Sequence, residues 1–546
     1  MKHAVWCGLV ALVGLGCPAS DADDPSPSGS GTGTGEDSST STDPSTGTTL
    51  GSSETGIPPA DSSSGGPAGP IPASGISVDW VEANQAVGVR IGEDGGGVGA
   101  DGRTSPLIAN RITLVRAFWE IGDDWTPREI DAEFTVTYPD GTSDTKIDRK
   151  MVEGPSFIGN LGESFFWGLM ADETLPGMTY HIELFETDEA FADDTVSEPP
   201  RLPDDGSEAF VGIEESFQLL KIVIVPFNYD FGECTREPDL SEETMQLFYD
   251  YMYMMMPVDT LEIEIQPNVD WDGELTSFVP LNQYMAGLRV DDEAAPEVFY
   301  YGLVDVCSGG LGGAGGLANG IPSDPTSPDL AYQRVSSGLS LPSNPEFSAD
   351  TFVHEVGHSL GRRHVACSGE EGGPDITYPI EGGDLGEWGF GVIDFQLRHP
   401  TVYKDYMTYC NPAWVSTWGL NKVFPVIRTL SMWDEDFPGA DAVRPTPKAG
   451  SVLIGNVLPD GTEYWYTSVG RIGSDARSST TTIEFQTPAG PTIRQTQVTE
   501  LPDTGGSMIV AELPVGFDQI GAITRLEGSK RLSVERSAVR AHAKTR

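Results

Sequence analysis

The residues best placed to do chemistry form the stretch HEVGHSLGRRH, positions 354 to 364. Histidines four apart on a helix share one face, one turn above the other, so His354 and His358 can offer two imidazoles to a single metal ion. Glu355 stands beside them, where a carboxylate can reach an attacking water without being a ligand itself. Gly361 can end the helix in a left-handed conformation, after which His364 approaches as a third ligand and leaves a fourth position for water. The chain has 7 histidines, and by composition this full pattern would arise by accident on the order of once in 10⁵ such chains. A rival chemistry overlaps it, because GHSLG fits the G-x-S-x-G elbow of a serine hydrolase with Ser359 as nucleophile. That reading needs a strand before Ser359, an oxyanion loop upstream and a triad histidine, for which His399 and His542 are the candidates.

These residues must be positioned by a helix, and NPEFSADTFV supplies one, with Ser348 as cap and Phe352, Val356 and Leu360 as its apolar side. On that helix Ser359 is a small residue with no chemical duty. About forty residues further on lies KDYMTYC, with Met407, Thr408 and Tyr409. A long zinc motif followed by such a turn resembles the metzincin clan of zinc metallopeptidases. The resemblance covers roughly residues 219 to 425, where VFYYGLVD, GGDLGEWGFGV and CNPAWVSTW are similar to bacterial secreted metzincins, some of which act on glycoproteins. It implies one catalytic Zn²⁺ on His354, His358 and His364, with Met407 as the turn methionine beneath the metal. Glu355 would move the proton, and Tyr409 would donate to the tetrahedral oxyanion. It implies no subfamily and no cleavage specificity, and whether calcium also binds stays open.

Cysteine usage bears on the same region. With Cys7 in the leader and Cys17 at its end set aside, Cys234, Cys307, Cys367 and Cys410 remain, an even number that suggests two disulfides in an exported chain, with three connectivities open. On the metzincin resemblance, a Cys367 to Cys410 bridge would pin the methionine turn to the third ligand, contributing roughly 4 kcal/mol in the chain-entropy model. Cys234 would then pair with Cys307. The rival makes Cys367 or Cys410 a zinc ligand or redox thiol. The N-terminal domain holds no cysteine to block the metal, although an acidic residue could do so.

The rest of the 546-residue chain supplies the frame. Residues 1 to 19 read as a secretory signal, and Gly16 before Cys17 gives it the form of a bacterial lipoprotein leader with Cys17 acylated. Residues 20 to 75 are Ser, Thr, Gly, Pro and Asp, too polar to fold, a tether reaching on the order of 40 Å. Period-two segments such as EFTVTYPDG predict a β-sandwich over 76 to 213. Residues 214 to 437 read as an α/β catalytic domain: LLKIVIVPF is a strand buried on both faces, and DLSEETMQLFYDYMYMMMP is a capped helix with Met245, Phe248, Met252 and Met255 as a core stripe. GGLGGAG, which could pass for a dinucleotide fingerprint, is followed by LANGIPSDPTSP, which cannot open a helix, so it reads as a glycine loop at the cleft. Residues 438 to 546 form a smaller β-domain ending in a basic segment, KRLSVERSAVRAHAKTR, read as a solvated tail.

The expected architecture is therefore multidomain, an α/β metzincin-like unit flanked by an N-terminal β-sandwich and a C-terminal β-domain. A net charge of -51 argues against nucleic acid or anionic lipid as a partner of the main body, since phosphates would be repelled. The expected partner is a protein or glycoprotein substrate. Membrane contact is expected through the lipid on Cys17, at the cell surface or outer membrane, with plain secretion as the alternative. A non-catalytic surface binding protein on the same scaffold is the third functional class, and oligomeric state is not legible.

Overall fold

A computed structural model describes residues 70 to 542, apart from 309, 370, 436, 438–442, 444, 446–449, 474–478 and 502. The leader, Cys17 and nearly all of the polar tether lie outside the described residues. The molecule is β-rich, with several sheets and few helices.

The longer strands of the first segment are β1 (Ile76–Asn84), β2 (Gly88–Glu93), β3 (Thr113–Ile121), β4 (Arg128–Thr137), β5 (Ser143–Val152), β6 (Phe165–Leu169) and β7 (Thr179–Glu186). One antiparallel sheet runs β2-β1-β3-β6 and a second runs β5-β4-β7. Alternation in the sequence sets the buried face: Ile130, Ala132, Phe134 and Val136 of β4 are all buried. Phe134 stacks on Trp167 of the other sheet with ring centroids 5.2 Å apart, so the two aromatic faces meet. Ile71–Pro72 already pairs with β7, which starts the folded chain a few residues before the boundary read at 76. Buried Ala73 explains the shift, because a polar tether can contribute an edge strand once it carries an apolar residue.

The central segment contains β8 (Leu219–Phe231), α1 (Glu242–Met255), β9 (Thr260–Ile265), α2 (Val279–Asp291), β10 (Phe299–Val304), β11 (Gly316–Ala318), β12 (Val335–Leu339), α3 (Pro345–Ser359) and α4 (Thr417–Ser431). These strands run β9-β8-β10-β12-β11 in one sheet, with β9, β8, β10 and β12 parallel; β11 is antiparallel to β12 and ends the sheet on that side, and the short strand Cys234–Arg236 folds back antiparallel on β8. The apolar run of β8 divides by alternation: Leu220, Ile222 and Ile224 enter a core with α1, α3, α4 and the first strands, while Val223, Val225 and Phe227 enter another with α2 and the C-terminal strands.

The C-terminal sheet consists of β13 (Ser451–Val457), β14 (Glu463–Val469), β15 (Thr481–Thr487), β16 (Gly490–Leu501), β17 (Gly506–Glu512), β18 (Ala522–Glu527) and β19 (Lys530–Val534), in the order β19-β18-β15-β16-β17-β13-β14. The basic segment read as a solvated tail is built into this sheet: Lys530–Val534 is β19, and Val539–Arg540 pairs with β14. Val534 and Val539 are buried in the sheet's core, and that burial together with strand pairing outweighs the surrounding charge. No helix among the described residues is long and apolar enough to cross a membrane.

Candidate metal centre

The site is built on α3. Asn344 caps it by accepting the Phe347 amide at 3.3 Å, and Pro345 opens the first turn, where its missing N–H is no loss. Ser348, expected as the cap, lies inside the helix, and its hydroxyl accepts the Leu341 amide at 2.9 Å. Phe352, Val353 and Val356 are buried, with Phe352 stacked 5.1 Å from Phe248 of α1. His354, Glu355 and His358 are buried on the same helix. The helix ends at Gly361, whose φ of +86° suits glycine, and the chain doubles back to His364.

The three imidazoles are held alike. Each Nδ1 meets a backbone carbonyl: His354 that of Tyr406 at 2.8 Å, His358 that of Arg362 at 2.7 Å and His364 that of Gly372 at 3.0 Å. A carbonyl can only accept, so each Nδ1 carries the proton and each Nε2 presents a lone pair. The Nε2 atoms of His358 and His364 are 3.0 Å apart, and Nε2 of His354 is buried without a partner. Donors about 2.0–2.1 Å from a common tetrahedral ion stand roughly 3.3 Å apart, so this convergence of lone pairs has the scale of a metal shell. Burial pushes His354 down to about 4 and His358 down to about 3, which keeps both neutral and able to ligate.

The segment KDYMTYC packs against α3. Met407 is fully buried, and a Cβ added to Gly357 of α3 would lie 2.7 Å from its sulfur and 2.8 Å from the Tyr406 ring. The turn is fixed from within: Asp405 accepts the Met407 amide at 3.0 Å and pairs with Arg362 at 3.7 Å, and Arg362 donates to the Gly419 carbonyl at 2.9 Å. The Met407 carbonyl accepts the Val365 amide at 2.9 Å, tying the turn to the strand of chain that carries His364. A Cys367–Cys410 disulfide closes the same region, and Cys234–Cys307 forms the second bridge. Both cysteines near the site are thus consumed in a bridge and offer no thiolate to a metal. Beside it, Glu371 collects the amides of Cys367, Ser368 and Gly369 at 2.9 to 3.1 Å; burial opposes ionisation, but these donors win and hold the carboxyl at about 2.

Glu355 is buried and one of its carboxylate oxygens has no partner. Burial raises its pKa well above the usual carboxylate range, the charge of Asp503 adds to the rise, and the Ala318 amide of β11 moderates it. Gly316 lets that strand approach, since a Cβ there would stand 2.7 Å from the Glu355 side chain.

Asp503 carries no signal of a site role in its local sequence. It sits in the turn between β16 and β17, in LPDTGG, which reads as an ordinary hairpin. Its Oδ1 is 2.9 Å from Nε2 of His364, its Oδ2 is 3.8 Å from Nε2 of His358, and Tyr409 donates its hydroxyl to Oδ1 at 2.7 Å. One ligand atom each from His354, His358, His364 and Asp503 all lie within 4.8 Å of one another. Burial would raise the Asp503 carboxyl, but His358 and His364 outweigh it and hold it low. Burial likewise would lower His364, and its contact with Asp503 outweighs that and raises it. The arrangement can hold one divalent cation.

Ser359 is the last residue of α3, not the tip of a strand-to-helix turn, and its buried hydroxyl has no hydrogen-bond partner among the described residues. His399 lies at the surface beside Thr401, and His542 packs under α2 against Gly287. The serine-hydrolase constellation is therefore not assembled.

No family model matches the chain, and no curated protein matches it. Among solved structures, metalloproteinase-II from Bacteroides fragilis aligns at a TM-score of 0.23 and 11% identity, covering 63% of this chain and 87% of its own. A calcium-binding mutant of Bacteroides uniformis beta-glucuronidase 2 aligns at a TM-score of 0.16 and 10% identity, covering 43% of this chain and 30% of its own. Likenesses this slight carry no weight for the site, which stands on its own geometry.

Proposed function

We propose that the protein is a zinc-dependent endopeptidase with a metzincin-like catalytic unit, acting on extracellular proteins or glycoproteins. The observation that carries this is the convergence of three Nε2 lone pairs on one point with a buried, half-satisfied Glu355 beside them. Three imidazoles suit zinc among the common catalytic cations. Zinc held by His354, His358 and His364 would supply Lewis acidity toward a water and the scissile carbonyl. Glu355 takes the proton of the attacking water and returns it to the leaving amine, and a carboxyl raised by burial is suited to holding a proton between those steps. Tyr409 donates to the oxyanion when its hydroxyl is free. β11 ends its sheet, and its Ala318 amide meets Glu355, so an extended segment of substrate can align along this edge. Two disulfides suit an oxidising compartment, and a lipid on Cys17 would tether the enzyme outside the cell.

The test is cleavage of a proteome-derived peptide library by zinc-loaded native protein and by its Asp503→Ala form, each with and without chelator. Cleavage that disappears with chelator and with Glu355→Ala supports the reading. If Asp503→Ala protein containing stoichiometric zinc cleaves nothing, or if cleavage survives both treatments, the reading is wrong.

A further inference from the structure

Among the described residues, Asp503 is the side chain that the C-terminal sheet brings against the three histidines. We propose that Asp503 is a fourth metal ligand, and that the chain as folded is a latent enzyme inhibited in cis by its own C-terminal sheet. The proposal rests on the metallopeptidase reading and concerns its regulation.

Three observations converge. The Asp503 carboxylate is buried among the histidines, one oxygen 2.9 Å from Nε2 of His364 and the other 3.8 Å from Nε2 of His358, so that the four residues bring one donor atom each within 4.8 Å of one another, the number a tetrahedral zinc shell takes. The same carboxylate accepts the Tyr409 hydroxyl at 2.7 Å, which engages the donor assigned to the oxyanion. One group thus fills the fourth position and removes a transition-state contact.

The third observation is how firmly the carboxylate is delivered. Leu501, immediately before the turn, and Met508 and Val510 of β17 are buried in one apolar core with α2 and the β8 face of the central sheet. Met508 packs over Gly320, where a Cβ would stand 2.8 Å from its methyl carbon. Asn319 and Tyr466 exchange two hydrogen bonds at 2.7 and 3.0 Å, and Gln283 of α2 donates to the Trp465 carbonyl at 2.8 Å. A hairpin held by a shared core does not visit the site by chance. Access for substrate requires the β16–β17 turn to withdraw, the sheet to undock, or the turn to be cut.

The test uses the full-length protein loaded with Co²⁺, whose visible absorption reports the ligand set, and acetohydroxamic acid as a probe for an open coordination position. The native protein is expected to show a spectrum insensitive to the probe. Asp503→Ala and Asp503→Asn are expected to show an altered spectrum that shifts on adding it, and to cleave peptide about tenfold faster or more than native protein. Two variants guard against a folding defect in either one, and their circular dichroism must match the native chain. If native protein takes the probe as readily as both variants, or the variants leave the cobalt spectrum unchanged, the assignment of Asp503 is overturned. Variants that take the probe yet cleave nothing keep the ligand assignment and sink the peptidase reading.

Discussion

His364 shows how much one side chain can carry. It arrives after the helix has ended, its Nδ1 is fixed on the Gly372 carbonyl, and its Nε2 faces both His358 and Asp503. Replacing it by alanine is expected to abolish one-to-one zinc binding. At zinc about 100 to 1,000 times the dissociation constant, roughly 3–4 kcal/mol of metal-linked stability should vanish with it. Metal analysis and urea denaturation with and without chelator check this, and unchanged stoichiometry would remove His364 from the ligand set. Asp350, one turn before His354, gives a prediction on stability alone. Burial first, then Glu346, raises its pKa to about 7, against partial relief from Arg398. The folded state therefore favours the neutral acid, while the unfolded chain ionises near pH 4. Its contribution to stability is whole below about pH 4 and is lost as pH rises through about 7. Asp350→Asn should leave stability near pH 4 almost unchanged and raise it by about 2 kcal/mol at pH 8, the full shift being discounted because the side chain is only partly buried. Equal denaturation midpoints for the two proteins at pH 8 would count against this account.

At the scale of elements, the contact that fixes the site is α3 against the methionine turn. Gly357 leaves no room for a side chain, with Met407 sulfur and the Tyr406 ring both under 3 Å from where its Cβ would be. Gly357→Ala should cost about 1–3 kcal/mol by overpacking and weaken zinc binding, because α3 must shift with two ligands on it. Thermal unfolding and a zinc titration read both effects, and a variant native in each would show that the turn does not support the helix. The helix was legible from HEVGH and its apolar neighbours, yet its start was not: Asn344 and Pro345 outcompete Ser348 for the cap, a local contest decided by how the preceding turn enters. The glycines of GGLGGAG were legible as a loop, whereas the close approach of Gly316 to Glu355 depends on β11 pairing with β12.

On the scale of the whole molecule, three domains read along the chain share their apolar cores. One core joins the first strands to α1, α3 and α4, and Arg111 adds to that junction by donating to the Tyr253 and Met254 carbonyls at the end of α1. Another joins the central sheet to the C-terminal one. Tyr466 lies in that second junction, fully buried, with its hydroxyl bonded twice to Asn319. Tyr466→Phe leaves the buried Asn319 carbonyl without its donor, while the Asn319 amide keeps the Tyr332 carbonyl at 3.1 Å, and the change should cost about 1–2 kcal/mol. If the sheet delivers Asp503, the same change should also let acetohydroxamic acid reach cobalt in a fraction of molecules. A full stability loss with no probe access would mean that the hairpin holds Asp503 without help from the docked sheet.

The sequence by itself put His354, Glu355 and His358 on one helix, because helical spacing converts i and i+4 into a shared face whatever the rest of the chain does, while His364 and Met407 were expected beside them from the motif and the metzincin resemblance. It also determined the alternating strands on either side. Only the tertiary structure decided that the site is closed. Asp503 and Tyr409 lie far apart in sequence, in segments with no shared pattern, and their hydrogen bond exists because two sheets bury a common core that sets where the β16–β17 turn must point. Such docking is a sum of many weak apolar contacts, which no local spacing records.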